Sequence, residues 1–158
     1  MDKLSKSAQS VQDVLNSKHI QIKVVELPAS TRTAEEAASA IGCTVSQIVK
    51  SLVFKTKSTN KPVLVLASGV NRVNEKLVSQ AVGEVIAKAD ADFTREVTGF
   101  AIGGIPPVGH KQPIPTYIDE ELMHHQEIWA AAGTPHAVFS LNPQQLILLT
   151  EGTLLSVK

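Results

Sequence analysis

Aromatic residues make up only 4% of this 158-residue chain. That leaves little with which to build the stacking platform that commonly holds single-stranded nucleic acid. Charge of one sign is missing too. Fifteen basic residues balance fifteen acidic ones, for a net charge of zero, which excludes the broad basic face of a duplex-gripping protein and makes any RNA contact a local one. The single cysteine, Cys43, cannot form an internal disulfide. No apolar run approaches the roughly 20 residues needed to cross a bilayer. The opening Met1-Asp2-Lys3-Leu4-Ser5-Lys6 has no apolar centre of the kind a secretory signal needs. The expectation is a soluble, cytoplasmic protein with no membrane partner.

What is present is apolar and aliphatic. With 43% hydrophobic residues, mostly Val, Ile, Leu and Ala, against 19% charged, residues 1–158 suit one compact domain with a buried core. Residues 5–18 set Ala8, Val11, Val14 and Leu15 near one side at helical spacing. Residues 22–27 then read as a strand stopped by Pro28. Thr33-Ala34-Glu35-Glu36 has the form of a capping box, and Gly42 closes the helix it begins. Thr44-Val45-Ser46-Gln47 repeats the device for a shorter helix, which runs into the strand formers of Lys50-Ser51-Leu52-Val53-Phe54. Lys50 is thereby expected at a helix-to-strand junction.

Residues 62–67 form a nearly continuous apolar run, the pattern of a strand buried on both faces. Helices are expected over 74–82 and 90–98, each followed by a glycine, with a short strand at 85–88 between them. Three further strands fall at 116–119, 127–131 and 137–141, separated by a helical turn near Leu122 and a turn at Gly133-Thr134-Pro135. Asn142-Pro143-Gln144-Gln145 opens a last helix. Short strands mixed irregularly with helices predict an α+β fold with a mixed, curved β-sheet flanked by helices, rather than a βαβ repeat.

The segment most suited to chemistry is Gly103-Gly104-Ile105-Pro106-Pro107-Val108-Gly109-His110. Glycine lets a backbone approach a ligand closely and proline holds its shape. Exposed N–H groups in such a loop bind a phosphate, or the oxyanion formed when water attacks an ester. A tight turn with no ligand fits the composition equally well. The spacing is neither that of a Walker loop nor that of a dinucleotide fingerprint.

Preceded by Phe100-Ala101-Ile102, this loop resembles the signature loop of the YbaK and prolyl-tRNA-synthetase-associated editing domain family. Further landmarks follow in that family's order. Thr33-Ala34-Glu35-Glu36-Ala37-Ala38 with Ile48-Val49-Lys50-Ser51-Leu52-Val53-Phe54 is similar to its helix, lysine and strand unit. Ala67-Ser68-Gly69 is similar to its small-residue strand end, and Tyr117-Ile118-Asp119-Glu120-Glu121-Leu122 to its aspartate segment. Ala131-Ala132-Gly133 and Leu141-Asn142-Pro143-Gln144-Gln145-Leu146 are similar to its closing strands and helix.

The resemblance implies a free-standing deacylase that removes a small wrong amino acid, such as alanine or cysteine, from tRNA for proline or another tRNA. The partner it implies is the acceptor end of aminoacyl-tRNA, with help from a synthetase or elongation factor. No cofactor or metal is expected. A synthetase pocket that accepts proline cannot strongly reject a smaller side chain, since a methylene is worth only about 1–3 kcal/mol, so a second site must clear the errors. Lys50 matches the family's pocket lysine, whose ammonium would hold the phosphate or ribose end of the terminal adenosine. The N–H groups of Gly103, Gly104 and Gly109 are the candidate oxyanion donors. His110 has either a direct role or a local hydrogen bond. His136 lies near the position of a functional histidine in the synthetase-embedded form. Ser68, Gly69, Pro106, Pro107, Asp119 and Gly133 complete the expected substrate-binding set, with Asp119 also a candidate helix cap.

Other candidates fall away. His124 and His125 are adjacent and diverge by about 100° on a helix, so they do not share a metal. Cys43 has no His or Asp at a spacing that supports a thiol nucleophile. Two competing functions remain to be separated from the deacylase: a non-catalytic module binding an aminoacyl or nucleotide ligand or docking on a synthetase, and an unrelated ester or thioester hydrolase. The second lacks the G-x-S-x-G or Ser/His/Asp signature it would need.

Overall fold

A computed structural model describes residues 4–158. Among them are five α-helices and eight strands, the strands joined in one mixed sheet. Helix α1 (Lys6–Ser17) starts where the Ser5 hydroxyl accepts from the Ala8 N–H, and it buries Ala8, Val11 and Leu15. The expected strand over 22–27 shrinks to β1 (Val25–Glu26). Ile22 and Val24 are buried as their apolar character requires, but the Gln12 side chain takes over their backbone bonds. Its Nε2 donates to the Ile22 carbonyl at 2.8 Å and its Oε1 accepts from the Val24 N–H at 2.7 Å. A helix amide here does the work of a neighbouring strand.

Helix α2 (Ala34–Ile41) is capped by the Thr33 hydroxyl, which accepts from the Glu36 N–H, and is closed by Gly42 at φ 87°. The shorter helix expected after Thr44 is a single 3-10 turn, Val45–Gln47. Strand β2 (Ile48–Thr56) begins at once, because Ile48 and Val49 pair with Trp129 and Ala130. Lys50 is therefore the third residue of a strand rather than the residue at the junction. Strand β3 (Pro62–Ser68) is buried almost throughout, as its unbroken apolar run predicts.

Next come α3 (Glu75–Val82), β4 (Ile86–Lys88), α4 (Ala91–Thr98) and β5 (Thr116–Asp119), followed by a 3-10 turn at Glu120–His124. The chain continues through β6 (Ile128–Ala131), β7 (Ala137–Leu141) and α5 (Pro143–Thr150). A last strand, β8 (Thr153–Leu155), lies parallel to β5 and has no counterpart in the sequence reading. Three residues beside a glycine carry too little alternation to stand out.

The sheet order is β1-β7-β6-β2-β3-β5-β8, with β4 attached to β2. Strand β3 covers one edge of β2 from Val49 to Lys55. The other edge is divided: β6 runs parallel to it at Ile48 and Val49, and β4 antiparallel to it from Phe54 to Thr56. Residues 50–52 thus face a fork with no strand beside them.

Alternation sends neighbouring side chains to opposite faces. Val49, Val53, Leu64 and Leu66 join the core built with α1 and α5. Phe54, Val63, Val65 and Ala67 pack with Val78 of α3, while Ile48 packs with Ala34, Ala37 and Ala38 of α2. Lys50 shares the parity of Ile48 and Phe54. It therefore emerges between the α2 and α3 clusters, beside the fork.

Candidate functional site

The fork opens into a cleft with two lobes. The first, about 290 Å³, lies between α2 and the sheet and is lined by Ala34, Ala37, Ile41, Ile48, Trp129 and Val138 together with Thr31, Arg32 and Glu35. The second, about 350 Å³, is lined by Phe54 and Val73 and by the polar side chains of Arg72, Glu75, Lys88 and Thr94. Lys50, Ser51, Leu52, Ile102 and Ile105 border both.

Lys50 stands at this divide. It pairs with Ala67 across the β2–β3 ladder, and so small a neighbour on the same face leaves room for its stem. Its Nζ donates to the Asn71 carbonyl at 2.6 Å. Burial pulls the ammonium pKa below the ordinary lysine value, and the carboxylates of Glu35 and Asp119 only partly oppose this.

Behind Lys50 lies Asp119, 1% exposed. Its Oδ2 accepts from the Asn71 side-chain amide at 2.7 Å and from the Ser68 N–H at 3.0 Å, while Oδ1 caps the following 3-10 turn at the Glu121 N–H. Asp119 is thus a cap, as the sequence offered, and it also anchors Asn71, the residue that holds Lys50. Ser68 is buried as well, its hydroxyl donating to the Ser46 carbonyl. Gly69 lines the first lobe. A Cβ there would collide with the Val45 carbonyl oxygen and crowd Ala34, so only glycine lets the end of β3 pass under α2 and the 3-10 turn.

The glycine and proline loop divides between site and scaffold. Ile102, Gly103 and Ile105 line the first lobe. Gly103 has φ 100°, and a Cβ on it would lie 2.6 Å from Cγ of Arg32, whose side chain crosses it. Its N–H makes no hydrogen bond among the described residues. Gly104, by contrast, donates to the Ala101 carbonyl at 3.1 Å and accepts from the Gly133 N–H at 2.8 Å, packed on the backbone of Thr134. Pro106 and Pro107 are buried, and Gly109 lies against Val14 of α1.

His110 hydrogen-bonds through Nε2 to the Pro106 carbonyl at 2.7 Å, and burial pushes its pKa below the ordinary histidine value. His136 is exposed, and its Nδ1 meets the Ala29 carbonyl at 3.0 Å. Gly133, at φ 96°, sits against Ser7 and Phe100. Of the expected residues, Lys50, Gly69 and Gly103 meet at the cleft. Ser68 and Asp119 brace them, and Gly104, Pro106, Pro107, Gly109, His110, Gly133 and His136 hold the surrounding loops outside its lining.

Several lining residues escaped the sequence reading. Thr31 Oγ1, Ser51 Oγ and Trp129 Nε1 are buried without a hydrogen-bond partner among the described residues, and all three residues border the first lobe. Unpaired buried polar atoms are uncommon and gather at functional sites. Ser51 was detectable as a polar residue between Val49 and Val53 on a core-facing row. Arg32, Arg72 and Lys88 were not, since only the fold brings them to the cleft. With Lys50 they give the lining four cations against the carboxylates Glu35 and Glu75. None of these is ion-paired; the pair found among the described residues is Lys158 with Glu121, at 3.0 Å. Nor does any group of three His, Cys, Asp or Glu side chains among the described residues form a metal-binding cluster.

Comparison with known proteins identifies the family. The model of the aminoacyl-tRNA editing domain matches residues 28–149. The chain is 31% identical over 124 residues to a protein of Enterococcus faecalis named "Putative Cys-tRNA(Pro)/Cys-tRNA(Cys) deacylase EbsC", covering 76% of this chain and 73% of that one. It is 36% identical over 94 residues to the proline–tRNA ligase of Limosilactobacillus fermentum, a match that covers 57% of this chain but only 16% of the ligase. A crystal structure of "a putative trans-editing enzyme for prolyl tRNA synthetase" superposes with a TM-score of 0.93 at 48% identity, covering 99% of both chains. A family match over most of the sequence, with a fold shared from end to end, shows that the chain belongs to the aminoacyl-tRNA editing domain family.

Proposed function

We propose that the chain is an aminoacyl-tRNA deacylase that acts in trans, hydrolysing the ester of tRNA for proline charged with a small wrong amino acid such as alanine or cysteine. One observation carries this reading: the Lys50 ammonium and Gly103, whose N–H has no partner, line the same cleft in the divided edge of the sheet. Alignment with relatives along most of their own length supports action in trans. A synthetase or an elongation factor would hand over the charged tRNA.

In the proposed reaction the small side chain enters the apolar first lobe and the ester carbonyl faces Gly103. Its N–H donates to the oxygen that becomes negative as water attacks, a role that Gly104 cannot share while bonded to Ala101. Lys50 holds the terminal adenosine by its phosphate or ribose. The ribose hydroxyl beside the ester helps to orient and deprotonate the attacking water. Water adds to the carbonyl carbon to give a tetrahedral oxyanion, the ribose hydroxyl relays the proton that water gives up, and collapse of the intermediate breaks the ester carbon–oxygen bond as the departing ribose oxygen takes up that proton. Positioning and charge stabilisation supply the rate, with no strong protein base required. His110, committed to Pro106, is a loop brace in this scheme.

Release of amino acid from a panel of Ala-, Cys-, Ser- and Pro-charged tRNA for proline, by the purified protein and by Lys50→Ala, tests the proposal. Turnover on a small mischarged residue, spared Pro-tRNA and loss of activity in the variant are expected. Saturable binding without turnover would instead favour a binding module.

A further inference from the structure

We infer that the second lobe is a phosphate subsite, in which Arg72 and Lys88 hold the sugar-phosphate end of the acceptor strand while the first lobe takes the amino acid. This rests on the deacylase reading and divides its cleft by chemistry. The lobes have similar volumes and similarly mixed walls, and differ in the cations they carry. The first carries alanine, isoleucine and tryptophan side chains, a surface suited to a small apolar group, with Arg32 offset by Glu35 among its polar residues. The second carries Arg72 and Lys88, both exposed and both without a carboxylate partner among the described residues.

With Lys50 at its border, the second lobe carries three cations against the one carboxylate of Glu75, and such an excess of positive charge attracts anions. Glu75 lines the same lobe without pairing with either. Lys50 borders both compartments, so a phosphate in the second lobe leaves the attached ribose and its ester at the divide, opposite Gly103. Ile102, 51% exposed, also borders both lobes. It offers an apolar surface against which the terminal base can lie.

The lobe therefore recognises a phosphodiester ending in adenosine, read through its charge. A double variant, Arg72→Ala with Lys88→Ala, tests this, with Lys76→Ala as a charge-matched control, since Lys76 is exposed on α3 and outside the lining. On mischarged tRNA the double variant should raise KM by about tenfold or more with kcat little changed, as expected when charge-assisted contacts to a phosphate are lost. The slope of log KM against log salt should become shallower by about 0.7 for each single-strand phosphate contact removed. On an aminoacyl-adenosine lacking any phosphate, double variant and parent should have the same kcat/KM.

Equal KM and salt slope on tRNA would overturn the assignment. So would an equal loss on the phosphate-free substrate, which would mark a merely structural effect. Binding of the RNA trinucleotide CCA, measured directly with parent and variant, separates this inference from the reading beneath it. Weaker, less salt-dependent binding in the variant supports the subsite even if no tRNA is hydrolysed, and unchanged CCA binding contradicts it even if deacylation is robust.

Discussion

Lys50 is held in a setting that costs stability. Burial disfavours its charge more than Glu35 and Asp119 favour it, so its folded pKa lies below the ordinary 10.5. Between those two values the unfolded chain binds more protons, and Lys50's contribution to stability rises with pH. At neutral pH the ammonium is a net burden. Lys50→Met is accordingly expected to melt no lower than the parent while losing deacylation, as thermal unfolding and tRNA hydrolysis on the same preparation would show. Activity that depends on the ammonium should also fall on the alkaline side with a midpoint below 10.5, once spontaneous ester hydrolysis is subtracted. A midpoint at or above that value would contradict the burial of Lys50. His110 behaves in the same sense at lower pH. Its folded pKa lies below 6.5, so its contribution is fully present above that pH and is lost as pH falls towards the folded value. Urea midpoints between pH 7.5 and 5 should therefore drop more steeply in the parent than in His110→Gln.

At the scale of elements, two joints set the cleft. Gly69 lets β3 pass beneath α2, and Gly69→Ala should destabilise the fold by about 1–3 kcal/mol through overpacking against Val45 and Ala34. Gly83→Ala makes an informative contrast. No atom lies within 4 Å of its Cβ position, so its cost is only the roughly 1–2 kcal/mol of a left-handed backbone, and activity should be untouched. Denaturant midpoints with deacylation rates distinguish the two.

The second joint is Gln12, whose amide replaces strand pairing at Ile22 and Val24. Gln12→Leu should cost about 1–3 kcal/mol for each backbone group left unpaired and buried. This joint also shows where the sequence stopped being informative. The apolar pattern of residues 22–27 correctly announced burial, yet burial does not say which partner satisfies the backbone. Likewise the capping signals at Thr33 and Asn142 located helix starts, because caps are local chemistry. That β6 and β4 would share one edge of β2, leaving Lys50 beside a fork, depends on long-range pairing that no local pattern encodes.

For the whole molecule, a neutral chain lines one cleft with four cations, Arg32, Lys50, Arg72 and Lys88, against two carboxylates. The sequence permitted only a local RNA contact, and the proposed function puts that contact at the cleft where the fold gathers these side chains. Lys50 and Gly103 were legible through their motifs. Arg32, Arg72 and Lys88 were not, since each is an ordinary surface residue until the sheet closes. Of the rest of the signature loop, Gly104 and His110 are hydrogen-bonded to neighbouring chain and Gly109 lies against Val14, so Gly103 is the glycine of the loop that lines the cleft. The central claim is that this cleft hydrolyses mischarged tRNA, and release of labelled amino acid from Ala- or Cys-charged tRNA for proline measures it directly. The expected result is multiple turnovers by the parent, none by Lys50→Ala, and Pro-tRNA left intact. Binding of these tRNAs with no amino acid released by the parent would contradict it.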